Sequence, residues 1–285
     1  MHGTVTSPDG TQYRADMDCG DEALNAYFES MKGKILYKTA FATQGEMQKT
    51  IEPFLKEGKD VLVLTLSSAL SGTYQSCMLA SKGLMEMYPE RKIICVDTLR
   101  YSSAISFLLV KAAEKKKEGA TIEETADYLN EIKHRVHQAG PLDDLFFCVK
   151  TGRISNFKAF FGTLVGVHCL GEFNKGGMTE VIGKAKGKAA AINAAIEYIK
   201  KTIENPEEQI VFVGHSNRTE HAERLAQRIR DEIKPKEVIV NSIGLSCGAS
   251  IGPGLCAAYY MGAPVSENLE TEKKLMEESI QNLKK

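Results

Sequence analysis

The sequence predicts an α/β protein of two domains: a parallel sheet with helices on both faces, followed by a mixed-sheet α/β unit. Three observations lead there. Short apolar runs rich in β-branched residues, DVLVLTL (60–66) and KIICVD (92–97), alternate with helical patterns in the first half, as strands of a sheet buried on both faces do. The pattern breaks at QAGPLD (138–143), a turn-forming stretch. Beyond it the order changes to strand, Gly-rich turn, strand, which is hairpin chemistry.

The elements follow in order. A strand over 60–66 leads into a helix from Gly72 to about Met87, and a second strand covers 92–97. A helix from about Ser102 to Lys117 precedes another from Ile122 to about Val136, opened by Thr121 with Glu124 three residues on, a capping box. After the break come a strand at DLFFCVK (144–150), a helix around 155–165, and the hairpin VGVHCLGEFNKGGMTEVIGKAK. A helix over 188–203, a strand over 209–215, a helix over 219–231 and a strand over 237–243 complete the second unit. The charge pattern of PVSENLETEKKLMEESIQNLKK is that of a solvated terminal helix. The expected division is therefore 1–139, 140–262 and a helical extension over 263–285.

Composition narrows the function. Apolar residues at 43 % and charged residues at 26 % are ordinary for a globular protein. A formal net charge of −1 without a basic block argues against a nucleic-acid partner. No apolar run approaches the ~20 residues that span a bilayer, and the first residues lack the order of a secretory signal. The seven cysteines are irregularly spaced, mostly within apolar runs and without a C-x-x-C pair, so reduced buried thiols in a cytoplasmic protein are the expectation. Neither they nor the six scattered histidines signal a metal site.

The most informative stretch is SSALSGTYQS (67–76), which follows a buried strand and opens a helix. Ser71 is placed as N-cap with Gly72 and Thr73 in the first turn. A helix start offers free N–H groups and a partial positive charge to an anion. The surrounding hydroxyls, without Lys or Arg, suit a carboxylate better than a triphosphate. Simple capping of its own helix by Ser71 accounts for the same residues. A serine hydrolase or transferase using Ser68 or Ser71 lacks the G-x-S-x-G frame, and its best distant base is His215. A phosphate-ligand binder could use the same helix start, although GKAKGKA (183–189) fails as a phosphate loop and no G-x-G-x-x-G opens a helix. Arg153 in TGRIS (151–155) faces either an interdomain cleft or solvent, and GPG (252–254) signals a turn.

Taken in order, these pieces resemble the DegV family. YRADMD (13–18), KTAFAT (38–43), SSALSGTYQS, KTGRIS and SCGASIGPG occupy the places of that family's motifs, from about Val5 to Gly262. The resemblance implies a protein that binds a long-chain fatty acid, and in several members the acyl-carrying subunit of a bacterial fatty acid kinase. The carboxylate would be held by Thr39, Ser71, Gly72 and Thr73. The acyl chain would run into an apolar tunnel between and within the domains. Arg153, Lys186 and Ser250 fall near the carboxylate or on the kinase-facing side. Phe160, Phe161, Leu164 and Val165 are candidates for the tunnel lining and read equally well as core. Such a carrier needs no cofactor and no catalytic residue, and its partners would be the fatty acid, a kinase subunit and, transiently, a membrane surface.

The chain departs from the family pattern in three places. Ala40-Phe41-Ala42-Thr43 replaces Ser-Gln-Pro-Ser, which puts Phe41 at the pocket mouth. Lys186 and Ser250 stand where many members have Arg and His; Lys lacks the bidentate fork of Arg and Ser cannot change charge as His does. Met1 falls where the pattern's second strand is already under way, and without the first βα unit apolar faces of the neighbouring strands would be left uncovered.

Overall fold

The structure is a computed structural model that describes residues 3–14, 20–155 and 166–281. Near the N-terminus, β1 (Thr4–Thr6) lies antiparallel between β2 (Gln12–Arg14) and β3 (Lys38–Ala40), with Val5 opposite both Tyr13 and Thr39. Helix α1 (Gly20–Ser30) is inserted before β3. Val5 is buried against Leu245 and Ala249, far along the chain. This sheet was not foreseen, because its strands carry one buried residue between them and form on a surface supplied by another part of the protein.

The parallel unit follows. Helix α2 (Gln44–Lys56) is capped by Thr43, whose hydroxyl accepts the Glu46 N–H at 3.3 Å. Strands β4 (Val61–Thr65) and β5 (Ile93–Asp97) pair in parallel, joined by helix α3 (Thr73–Met87). On one face α2 and α3 pack Met47, Ile51, Leu55, Ala80 and Leu84. On the other lie α4 (Ser103–Lys117) and α5 (Ile122–Ile132), with Phe107, Leu108 and Leu129. Along the outer edge of β4 an apolar groove runs past Phe54, Leu62, Leu64, Ile105 and Leu109; Phe54 and Leu109 remain 47 % and 58 % exposed.

Helix α5 has the capping box: the Thr121 hydroxyl accepts the Glu124 N–H at 3.1 Å, and Glu124 accepts the Thr121 N–H at 2.7 Å. It ends at Ile132, earlier than expected. After one 3₁₀ turn the chain becomes β6 (Val136–Ala139), every residue of which is buried. His137 and Gln138 hide this strand in the sequence, since their polarity is answered by tertiary partners. The expected strand over 144–150 is instead helix α6 (Phe146–Lys150). The Asp144 carboxylate accepts the Phe146 N–H at 2.8 Å and starts the helix; so short an apolar run carries no period to distinguish helix from strand.

The hairpin forms as expected. Strands β7 (Pro141–Leu142), β8 (Val167–Phe173) and β9 (Thr179–Lys186) make an antiparallel sheet, irregular between Leu170 and Gly171. Helix α7 (Lys188–Thr202), β10 (Ile210–His215), α8 (Thr219–Glu232) and β11 (Glu237–Ser242) also match the reading closely. After β11 two elements were missed: helix α9 (Leu245–Ile251), short and rich in Ser and Gly, and β12 (Cys256–Met261) after the turn at Gly252 and Gly254. The mixed sheet runs β11-β10-β12-β6, so β6 joins the later strands. One apolar core accordingly continues from Phe107 and Leu129 to Phe212 and Tyr259.

Terminal helix α10 (Glu270–Gln281) is not fully solvated. Met276, Glu272 and Ser279 are buried, and Met276 packs so tightly on β9 that a Cβ at Gly183 would lie 2.5 Å from its Cγ. Its charges mask a single-sided apolar contact.

A buried polar cluster links β6 to β8. The Glu172 carboxylate accepts the N–H groups of Gln138 and Phe173, each at 2.8 Å, and the Tyr198 hydroxyl at 2.9 Å. His137 Nδ1 is 2.8 Å from the same carboxylate, and its Nε2 is 2.8 Å from the Ala263 carbonyl. An imidazole facing an acceptor on both sides must carry both protons. His137 is therefore held as a cation, and its pKa is raised: burial opposes the charge, but Glu172 and the carbonyl outweigh it.

Candidate functional site

The loop between β4 and α3 is fixed from beneath by the segment after β5. Ser67 N–H donates to the Arg100 carbonyl at 2.9 Å, and Ser68 N–H donates to Asp97 Oδ1 at 3.1 Å. From above, the β8–β9 turn closes on Ser67. A Cβ at Gly177 would fall 2.2 Å from the Ser67 oxygen, and φ there is +84°, so glycine is required on both counts.

Held this way, the chain enters α3 at Thr73 with Gly72, not Ser71, at the N-cap position. Ser71 sits one residue earlier. Its hydroxyl accepts the Thr73 N–H at 3.3 Å and lies 2.9 Å from the Thr73 hydroxyl. No side chain bonds back to the helix start from the N-cap residue itself, and the first turn holds no acid. That leaves the positive end of a 15-residue helix facing a cavity.

The cavity has a volume of about 230 Å³. Thr39, Ser71, Thr73, Arg153 and Ser250 all line it, so most of the residues named from the sequence converge on one place. Gly72 is not in the lining; it lies under the Phe41 ring, and Phe41 itself borders the cavity. Lys186, at the end of β9, is exposed and stands apart from it. Phe160, Phe161, Leu164 and Val165, with the helix expected around them, lie outside the described residues. Ser246 and Cys247 were missed. Ser246 stands one helical turn before Ser250 on α9, a spacing that could have revealed it.

Apolar side chains complete the walls, among them Leu66, Leu70, Cys148 and Ile251. A second, narrower cavity of about 40 Å³ shares Tyr101, Cys148, Arg153 and Ile251 with the first. It extends between the hairpin sheet and β12, past Leu142, Cys169, Val181, Leu255 and Ala257. One polar strip crosses it: the hydroxyls of Tyr101 and Thr179 lie 2.5 Å apart, and the Gln138 amide donates to Thr179 at 3.0 Å.

The electrostatics of the lining are simple. Among the described residues Arg153 is its one charged side chain. The guanidinium donates to the Thr151 carbonyl, which leaves other N–H donors of its fork for a ligand. Burial pushes the Cys148 thiol up to about 12 and raises that of Cys247, so neither is a thiolate at neutral pH. No histidine and no carboxylate lines the cavity among the described residues. His215, the distant base considered above, is buried on β10, where its Nδ1 accepts the Arg218 N–H at 3.4 Å. Ser68 does not reach the lining. The serine-nucleophile alternative therefore lacks its base here.

Comparison with known proteins identifies the family. A family model described as "Uncharacterised protein, DegV family" matches residues 6–262. The chain belongs to the DegV family. A DegV domain-containing protein of Clostridium perfringens is 31 % identical over 260 residues, covering 91 % of this chain and 89 % of that one. A protein named as a fatty acid-binding protein in Thermotoga maritima is 30 % identical, over 82 % and 80 % of the two chains. The crystal structure of a DegV lipid-binding protein from the same organism superposes with a TM-score of 0.79 at 25 % identity, over 92 % of this chain and 90 % of that one. As a DegV protein, the chain has the α/β fold of that structure. No helix among its described residues is long and apolar enough to cross a membrane.

Proposed function

We propose that this DegV protein is a carrier of long-chain fatty acids. One observation carries the reading: Arg153, without an ion-pair partner among the described residues, lines one cavity together with hydroxyls, a helix start and apolar side chains. The carboxylate would lie between Arg153, Ser71, Thr73, Thr39 and Ser250, with the acyl chain directed inward past Tyr101 and Ile251. A guanidinium fork and a carboxylate match in geometry and charge. Burial of the chain contributes about 0.8 kcal/mol per CH₂, so the apolar walls supply most of the affinity and the polar mouth fixes orientation. The relatives named as lipid- or fatty acid-binding support the same ligand.

The cavity offers no general base among the described residues, and the proposed role is that of a non-catalytic protein, which would present its ligand to a fatty acid kinase subunit. The test is direct. Purified protein incubated with palmitate or oleate, washed and then denatured, should release one fatty acid per chain by mass spectrometry. Absence of extractable fatty acid after that loading would sink the proposal. Release of a phosphorylated small molecule instead would favour the phosphate-ligand reading.

A further inference from the structure

Cys77 lies on α3 and Cys95 on β5, inside the apolar layer between helix and sheet. Their sulfur atoms are 2.6 Å apart. A covalent S–S bond is about 2.05 Å long, so a small approach would close the gap. The Ser81 hydroxyl, one turn further along α3, lies 3.1 Å from the Cys95 sulfur. No other pair of sulfurs is in contact among the described residues.

The two cysteines differ in a way that suits a two-step reaction. Cys77 is fully buried, and Cys95 is partly exposed. Contacts with the Cys77 sulfur and the Ser81 hydroxyl hold the Cys95 thiol below the usual range; the same sulfur contact and burial push that of Cys77 up. The thiolate is the form that reacts with oxidants.

We propose that Cys77 and Cys95 form a reversible dithiol–disulfide site that responds to peroxide. The Cys95 thiolate attacks one peroxide oxygen, becomes a sulfenic acid and releases hydroxide. The Cys77 sulfur then attacks the sulfenic sulfur, forming the S–S bond and releasing water. The two thiols together lose two protons and two electrons, and one hydrogen peroxide becomes two waters. The bond ties α3 to β5 one turn beyond Thr73, and so fixes the helix whose start borders the cavity. The other buried cysteines, Cys148, Cys169 and Cys256, have their thiols raised by burial and remain reduced.

The experiment uses the whole reduced protein, exposed to a small excess of hydrogen peroxide, alkylated, digested and analysed by mass spectrometry. The expected product is one linked peptide pair containing Cys77 and Cys95, lighter by two hydrogens and reversed by dithiothreitol. It should form at least tenfold faster than any modification of Cys148, Cys169 or Cys256, and be absent in Cys95→Ser. Sulfinic acid at Cys95 without linkage, a link through another cysteine, or full alkylation of both thiols would each overturn the proposal. A melting-temperature increase in the linked protein, lost on reduction, is the supporting second readout; an unchanged melting temperature counts against a clamp on α3.

Discussion

The ring of Phe41 lies over Gly72, so close that a Cβ on Gly72 would come within 2.9 Å of the ring. An aromatic residue thus sits on the entrance to α3 and borders the cavity. It is 50 % exposed, so its removal gives up little buried area. Phe41→Ala should change stability by less than about 1 kcal/mol while it speeds exchange of a bound fatty acid several-fold. Equilibrium urea unfolding and stopped-flow displacement of a fluorescent polyene fatty acid measure the two effects separately.

Arg153 and Ser71 should contribute unequally. A hydrogen bond to a charged group is worth about 1.5–3 kcal/mol, so Arg153→Gln is expected to weaken palmitate binding by tenfold or more. Ser71→Ala removes one donor to the same carboxylate but no charge, and should cost about 1.5 kcal/mol, the low end of that range. Neither change should affect the corresponding long-chain alcohol by more than a few-fold. Calorimetric titration with acid and alcohol decides it; equal losses for both ligands would place the carboxylate elsewhere.

The His137–Glu172 pair makes stability depend on pH in a defined direction. The folded pKa of His137 lies above its unfolded value, because Glu172 and the Ala263 carbonyl outweigh the effect of burial. Its contribution is therefore complete below the unfolded value of about 6.5 and is lost as pH rises through the folded value. Urea midpoints across that range should fall with rising pH in the native protein. In His137→Gln this histidine-dependent slope should vanish. That variant also leaves Glu172 buried without its cation, which costs about 3–5 kcal/mol, so its midpoint should be lower throughout.

Helix α10 belongs to the folded core through Met276, which is fully buried against Gly183. Met276→Ala should destabilise the protein by about 2–5 kcal/mol, seen as a lower urea midpoint in one cooperative transition. A loss below about 0.5 kcal/mol would return the helix to the solvated role that its charges suggest.

Local signals made part of this protein legible. The runs at β4 and β5 are continuous and β-branched because both sheet faces are covered, and the Thr121–Glu124 box marks its helix start to the residue. The hairpin of β8 and β9 follows from its Gly-rich turn. Where burial is answered by distant partners, the pattern fails. β6 carries His137 and Gln138 inward because Glu172 and Thr179 receive them. The strands β1, β2 and β3 have almost no apolar signal of their own, and α6 is too short to show a period.

The site divides in the same way. The sequence by itself determined that a helix starts after SSALSG beside a strand end, with hydroxyls and no charge, since chain direction and turn chemistry are local properties. Only the tertiary structure decided that Arg153, Ser250 and Thr39 meet that helix start, that Ser246 joins them, and that Lys186 stands apart. It also set Gly72 at the N-cap and Ser71 before it, because the loop is held by Asp97, Arg100 and Gly177 as well as by its own residues. Spacing along a chain reports which face of an element is buried; which faces then enclose one cavity depends on contacts between segments far apart in sequence.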